Sequence, residues 1–361
     1  MVEVNGPRVG GGPWSEASIR PAGWPRGPSM RDVAELAGVS YQTVSRVINR
    51  RPHVAAATRQ RVLDAMQKLH YRRNLLARAL VTRRSGTVGI IGCESSLFGP
   101  TSMLFAIESA ARAAGYSVSV ASARHLDRRS VLDAVDRLCQ QSVEGIITIA
   151  PKTAMSDALA EAPPTVACVT VGGGSSDAVP STQIDNVAGA RLASRHLIEL
   201  GHRTVHHVAG PDDWPEAGER IRGWREALRD AGRPIPPVMS GNWSARAGYE
   251  QGGRLAADPR VTAVFCASDQ LALGVLRALH EAGRRVPEDV SVVGFDGALY
   301  GAHYLPPLTT VRQDFAELGR LSLGLLLSQL DPAGSPPTPR QQLLVPELVI
   351  RHSTAPPRHW E

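Results

Sequence analysis

At 361 residues, with 43% apolar side chains, the chain is too long for one small domain and has enough apolar material to bury several cores. Its formal charge of +6 is uneven: Arg26 to Arg84 hold thirteen basic residues against the acids Asp32, Glu35 and Asp64, so the remainder is net acidic. No apolar run of about 20 residues and no signal-peptide pattern occurs, so a membrane span and export are excluded in favour of a cytoplasmic protein with a basic head suited to nucleic acid.

Residues 1–28, rich in glycine and proline and without periodicity, are expected to be disordered. Ser29, with Asp32 three residues later, makes a helix start signal. Apolar residues then recur twice at helical spacing, as Val33, Ala34 and Ala37 and as Val44, Val47 and Ile48, with Gly38-Val39 as a short turn between them. Ser40 is placed to cap the second helix. Tyr41, Gln42 and Thr43 then fall on its first turn and Ser45 and Arg46 on its second. In a helix-turn-helix this is the part that meets base edges in the major groove. Gln pairs bidentately with adenine and Arg with guanine, while Tyr offers a hydroxyl and an apolar face for a thymine methyl. After the loop around His53, a third helix is expected from about Thr58, its N-cap, to Leu69, with Val62, Leu63, Ala65, Met66 and Leu69 closing a three-helix core. Asn74–Leu80 spans only two helical turns and is too short to be stable alone. Arg83-Arg84 adds phosphate-directed charge.

From Thr87 the pattern changes. Short β-rich runs (88–93, 117–121, 145–150, 165–171) alternate with helical stretches near 101–114, 129–141 and 186–200. A second series has strands at 204–209, 263–267 and 291–295 and helices near 216–231, 245–257 and 270–282. Strands without amphipathic alternation, separated by helices, predict two parallel sheets covered on both faces, with a Pro-rich loop at 331–339 and a last strand at 343–350. The fold class is therefore α/β: a helix-turn-helix headpiece plus two doubly wound subdomains. Ligands of such sheets lie beyond the carboxyl ends of the strands. Asp296, Arg220 and Trp243 fall in such places, and they are the groups that grip paired sugar hydroxyls and stack on a pyranose. The cysteines Cys93, Cys139, Cys168 and Cys266 read as buried free thiols, and no histidine, His202, His206 and His207 included, has metal-ligand spacing. Gly172-Gly173-Gly174 lacks the Lys-Ser/Thr of a phosphate loop and reads as a flexible turn, and Asp269 reads as a helix-start charge rather than half of a carboxylate pair. No catalytic residue, metal or cofactor is assigned.

The run Asp32–Ser40, continued by Gln42–Asn49, resembles the headpiece of the lactose-repressor (LacI) family of bacterial transcription regulators, and the likeness extends from Ser29 to about Ile350. The resemblance implies a DNA-binding headpiece over 29–73, a hinge helix and linker over 74–84, a two-lobed core like a periplasmic binding protein over 85–350, and a tail over 351–361. It places Ser40, Tyr41, Gln42, Thr43, Ser45, Arg46, Asn49, His53, Thr58 and Tyr71 at the DNA. Asn74, Ala77 and Leu80 would stand at the minor groove, where paired leucines wedge a central CpG step. Tyr41-Gln42 implies a lac-like operator, while Ala55 lacks a hydroxyl that phosphate would meet. In the core it places Leu97, Pro100, Met103 and Phe315 on an apolar wall around the effector, with Arg220, Trp243, Ser268 and Asp296 as further effector contacts. Ile149, Thr170 and Ser268 replace family amide and acid ligands, so the expected sugar is a β-glycoside or small oligosaccharide rather than a simple galactoside. A homodimer is expected, since the end of the chain has no leucine heptads. A corepressed regulator stays open here; a sugar-binding transport protein is disfavoured by the missing export signal and the basic head, and an enzyme is the weakest alternative.

Overall fold

A computed structural model describes residues 27–49, 51–72, 84–93, 97–123, 127–149, 153–159, 161, 166–173, 179–331 and 340–358. The chain divides into two compact units, Met1–Val81 and Thr82–Glu361.

The first unit is a three-helix headpiece. Helix α1 (Met30–Ala37) starts with a capping box: the Asp32 N–H donates to Ser29 Oγ at 3.4 Å, and the Ser29 N–H donates to Asp32 Oδ2 at 2.7 Å. It stops at Gly38, whose φ of 63° is left-handed and suits a residue without Cβ. Helix α2 (Tyr41–Ile48) is capped by Ser40, which accepts from the Thr43 N–H at 3.2 Å. Val33, Ala34, Ala37, Val44 and Val47 pack with Val62 and Ala65 of α3 (Ala56–Lys68). Each buried valine contributes about 1.5–3 kcal/mol of apolar transfer. Two expectations for α3 need correction. It begins at Ala56 after Ala55, with no side-chain cap, so Thr58 lies inside the first turn. Leu63 faces outward and is 44% exposed, because the core side of the helix is taken by Val62, Ala65, Met66 and Leu69.

The second unit has two sheets. Strands β1 (Thr87–Cys93), β2 (Ser117–Ala123), β3 (Gly145–Ile149), β4 (Ala167–Val171) and β5 (Ser181–Ile184), with helices α4 (Phe98–Ala113), α5 (Arg128–Gln140) and α6 (Thr153–Leu159), form most of the first lobe. The chain crosses at Asp185 into α7 (Asn186–Glu199), β6 (His206–Ala209), α8 (Pro215–Asp230), β7 (Met239–Ser240), α9 (Ala245–Ala256), β8 (Ala263–Cys266), α10 (Asp269–Glu281), β9 (Ser291–Asp296), a 3-10 turn (Leu299–His303) and β10 (Thr309–Arg312). It returns to the first lobe as α11 (Phe315–Leu330) and β11 (Gln341–Leu344), then crosses a third time to β12 (Glu347–Val349). The strand orders are β11-β5-β4-β3-β1-β2 and β12-β10-β9-β8-β6-β7, parallel throughout except that β12 runs against β10.

Central strands are buried on both faces, as the unbroken apolar runs of β3, β8 and β9 dictate. The edge strand β2 departs from that expectation: none of Ser117–Val120 is buried, and exposed and buried residues alternate only from Val120 to Ala123. Helix α11 carries apolar residues almost all round, which hides its period, and it lies against α4 where Gly319 meets the Ala106 backbone. The stretch expected as one strand at 343–350 is two, one in each sheet, with Val345-Pro346 between them. Nor does the segment after Ile350 trail away. Ser353 is fully buried, donates to the Val292 carbonyl at 2.6 Å and accepts the Thr309 N–H at 2.8 Å, while His202 and Ser291 hold the Ala355 carbonyl at 3.1 and 2.9 Å. Cys168 and Cys266 are buried free thiols and Cys139 is half-buried.

Candidate functional site

In the headpiece, burial of Val44 and Val47 turns the opposite face of α2 outward. Tyr41 is 49% exposed, Gln42 and Arg46 are exposed, and Thr43 and Ser45 are half-buried beside them. The Ser40 and Thr43 hydroxyls meet at 2.9 Å, and Asn49 Nδ2 donates to the Ser45 carbonyl at 2.8 Å, which fixes the two ends of the helix. His53 is exposed in a left-handed conformation (φ 69°), while Tyr71 packs partly into the headpiece core. The face thus presents an amide, a guanidinium, a phenol and small hydroxyls on a rigid helix. Asn74, Ala77, Leu80 and Arg83 lie outside the described residues. Arg84 pairs with Glu144 at 2.7 Å and donates to the Tyr116 hydroxyl at 2.9 Å.

In the second unit a cleft open to solvent lies between the lobes, at the carboxyl ends of their strands. Leu97, Phe98, Pro100 and Met103 at the start of α4, with Ile149, Val171 and Ile184 at strand ends, make its apolar side. Arg220, Trp243, Ser268 and Asp296 line the cavity from the second lobe. Phe315 does not line it. Its ring meets Phe98 edge-on at 5.9 Å and backs the wall from the first-lobe core. Thr170 also faces elsewhere: in a parallel strand alternate residues point to opposite faces, and here Val171 and Gly172 border the cavity while Thr170 is fully buried.

Arg220 organises the polar side. Its Nε donates to Asn186 Oδ1 at 2.9 Å, one terminal nitrogen donates to the Ala267 carbonyl and lies 3.5 Å from Asp296 Oδ1, and the guanidinium covers the Phe295 ring at 3.8 Å and the Trp243 ring at 5.5 Å. Asp296 accepts from Gln313 Nε2 at 2.7 Å. It ends β9 with a φ of 105°, a strained conformation for a residue with a Cβ, which aims the carboxylate off the end of the sheet. Burial pushes its carboxyl up to about 6 against the pull of Arg220 and Gln313. Trp243 meets Trp214 edge-on at 5.5 Å, and Gly210 leaves room for it, since a Cβ there would collide with the indole. Ser268 caps α10, accepting from the Leu271 N–H at 3.2 Å. Asp269, beside it, is a clamp: its carboxylate accepts from Thr310 Oγ1 at 2.6 Å and from the Ala298 N–H at 2.7 Å.

Sequence reasoning missed Asn186, Trp214, Glu216, Gln270 and Gln313 on this wall. Asn186 and Gln313 sit at the crossovers, just after β5 (STQI) and β10 (TTVR), strands too short and too polar to mark a strand end in the sequence; Glu216 lies in the first turn of α8 and carries no local mark of a site. Glu216 reaches across the cleft, where Oε1 accepts the N–H of Gly173 at 2.9 Å, so the triple-glycine turn is pinned at its second residue. Burial raises the Glu216 carboxyl. Among the described residues no three His, Cys, Asp or Glu side chains form a group able to hold a metal, and no helix is long and apolar enough to cross a membrane.

Residues 29–74 match the model of bacterial regulatory proteins of the lacI family, and residues 194–354 match a periplasmic binding protein-like domain. The chain is 38% identical to the lactose operon repressor of Escherichia coli (strain K12) over 336 residues, 91% of each chain. It is 36% identical to the HTH-type transcriptional regulator CelR of Thermobifida fusca over 341 residues, 91% of this chain and 98% of that one. Among solved structures, the lac repressor dimer bound to operator and the anti-inducer ONPF superposes with a TM-score of 0.80 at 36% identity, over 91% of this chain and all of that one. A CelR–cellobiose complex superposes at 0.67 with 34% identity, over 90% and 99%.

Proposed function

Because this chain belongs to the lacI family of bacterial regulatory proteins, we propose that it is a repressor that binds a lac-like pseudo-palindromic operator as a homodimer and is released by a β-glycoside or small oligosaccharide. It is a transcription regulator and not an enzyme, as are the relatives named above. The observation that carries the proposal is the meeting of Arg220, Asp296 and Trp243 on one wall between the lobes, in a chain that also presents Tyr41, Gln42 and Arg46 on an exposed helix. A guanidinium and a carboxylate each engage paired hydroxyls, and the indole stacks on the apolar face of a sugar ring. The apolar side chains Leu273, Leu299, Tyr300 and Leu305, the last 91% exposed, support pairing with a second copy. Operator binding would place the protein at the nucleoid.

The sugar acts by differential affinity. It favours the setting of the two lobes that does not hold the operator, and DNA weakens sugar binding by the same factor. Fluorescence anisotropy of a labelled symmetric lac-type operator with a central CpG, against scrambled DNA at fixed salt and with a panel of glycosides, tests this. Selective binding that one sugar reverses is expected. Absence of operator selectivity overturns the DNA half, and selective binding that no sugar reverses overturns the effector half.

A further inference from the structure

We propose that Glu216 sets the charge class of the effector, accepting a hydrogen bond from a neutral, hydroxyl-bearing saccharide and excluding phosphorylated or otherwise anionic ones. The proposal deepens the saccharide reading of the cleft and rests on it.

One oxygen of the Glu216 carboxylate is used and the other is not. Oε1 takes the Gly173 N–H from the opposite lobe, whereas Oε2 is covered and has no hydrogen-bond partner among the described residues. Trp243 Nε1, on the same wall, is likewise covered and unpartnered. An unmet buried acceptor and an unmet buried donor each cost free energy, so both await a ligand that supplies the missing partners. A sugar hydroxyl does both, since it donates and accepts. Phosphate oxygens only accept, and they would face the carboxylate with like charge.

The surroundings add to the exclusion. Arg220 is the one buried cation among the described residues, and Glu216, Glu219, Asp269 and Asp296 stand around it. Its Nε and one terminal nitrogen are already directed to Asn186, Ala267 and Asp296, and the other terminal nitrogen remains for a sugar hydroxyl. An incoming anion therefore meets an excess of negative charge around a cation that is already shared. Gly173 keeps the clasp short: a Cβ there would come within 3.1 Å of the Glu216 carboxyl carbon.

Isothermal titration of the full chain with lactose, cellobiose and their 6-phosphates, on the wild type and Glu216→Gln, is the test. The amide keeps an oxygen for Gly173 and the volume of the side chain, but it presents a donor where the free acceptor stood. The expected result is binding of a neutral disaccharide and not of its phosphate by the wild type. In Glu216→Gln, affinity for the neutral sugar falls about tenfold and the preference over the phosphate narrows. The ratio is decisive, because general loosening of the cleft weakens both ligands alike. Equal affinity of both proteins for the neutral sugar, or an unchanged ratio, overturns the role of Glu216 and leaves the saccharide reading intact. Wild-type preference for a phosphorylated sugar also overturns that role. Silence of the whole panel overturns the saccharide reading and with it this inference.

Discussion

Arg46 shows how little one side chain needs in order to carry information. It stands exposed on the second turn of a capped helix, held to that face by the burial of Val44 and Val47 on either side of it in sequence. A guanidinium presented to the major groove pairs with guanine through two parallel hydrogen bonds, which is the role proposed for Arg46. Replacing it with alanine is expected to reduce the preference for operator over scrambled DNA by about 1–3 kcal/mol, measured by anisotropy at one salt concentration. Unchanged discrimination would mean that another face reads the bases. Arg46 was legible in the sequence because cap, turn and period all lie within ten residues. Arg220, Asp296 and Trp243 were legible for a second reason, that strand ends are where such sheets place ligand groups. Glu216 was not, since its role depends on Gly173, 43 residues away, coming within 2.9 Å. Phe315 was misplaced by one layer, because the ring that reaches the cavity at that place is Phe98.

Between elements, close approach is decided by what is absent from the side chains. Helices α9 and α10 lie side by side, with Gly248 against the Leu271 carbonyl, Gly252 against Val275 and Gly274 against the Ala245 carbonyl and the Tyr249 nitrogen. A methyl at Gly274 has no room, as its neighbours are backbone and cannot rotate away. Gly274→Ala is expected to lower stability by about 1–3 kcal/mol, seen as a lower urea midpoint with unchanged slope. A midpoint equal to wild type would show that the two helices slide apart freely. The strands and amphipathic helices of the two alternating series were readable from period and turn signals. The short strands β5, β7 and β10 were not, each being two to four residues long, and α11 lacks a polar face to mark its turns. What places them is pairing with partners far away in sequence.

For the molecule as a whole, buried ionisable groups set how stability varies with pH. Burial and the neighbouring Asp296 carboxylate push Asp269 up from an ordinary 3.8 to about 7, despite the hydrogen bonds from Thr310 and Ala298. The folded protein therefore takes up this proton more readily than the unfolded chain, and the resulting stability is full below 3.8 and lost as pH rises through about 7. His202 and His207, each pushed by burial down to about 4, have the opposite sign, but their window closes near 6.5. Thermal midpoints between pH 6.5 and 8 should thus fall with rising pH in the wild type and fall less in Asp269→Asn. Parallel slopes in the two proteins would show that Asp269 does not titrate there.

The triple crossing of the chain bears on its synthesis. The headpiece core is complete once Tyr71 has left the ribosome, whereas the first lobe waits for Gln341–Leu344 to pair with β5, and the second waits for β12 and for Ser353 to lock against β9. During translation the DNA-reading part is therefore finished some 280 residues before the part that governs it. A premature stop codon late in the message would remove the governor and spare the reader.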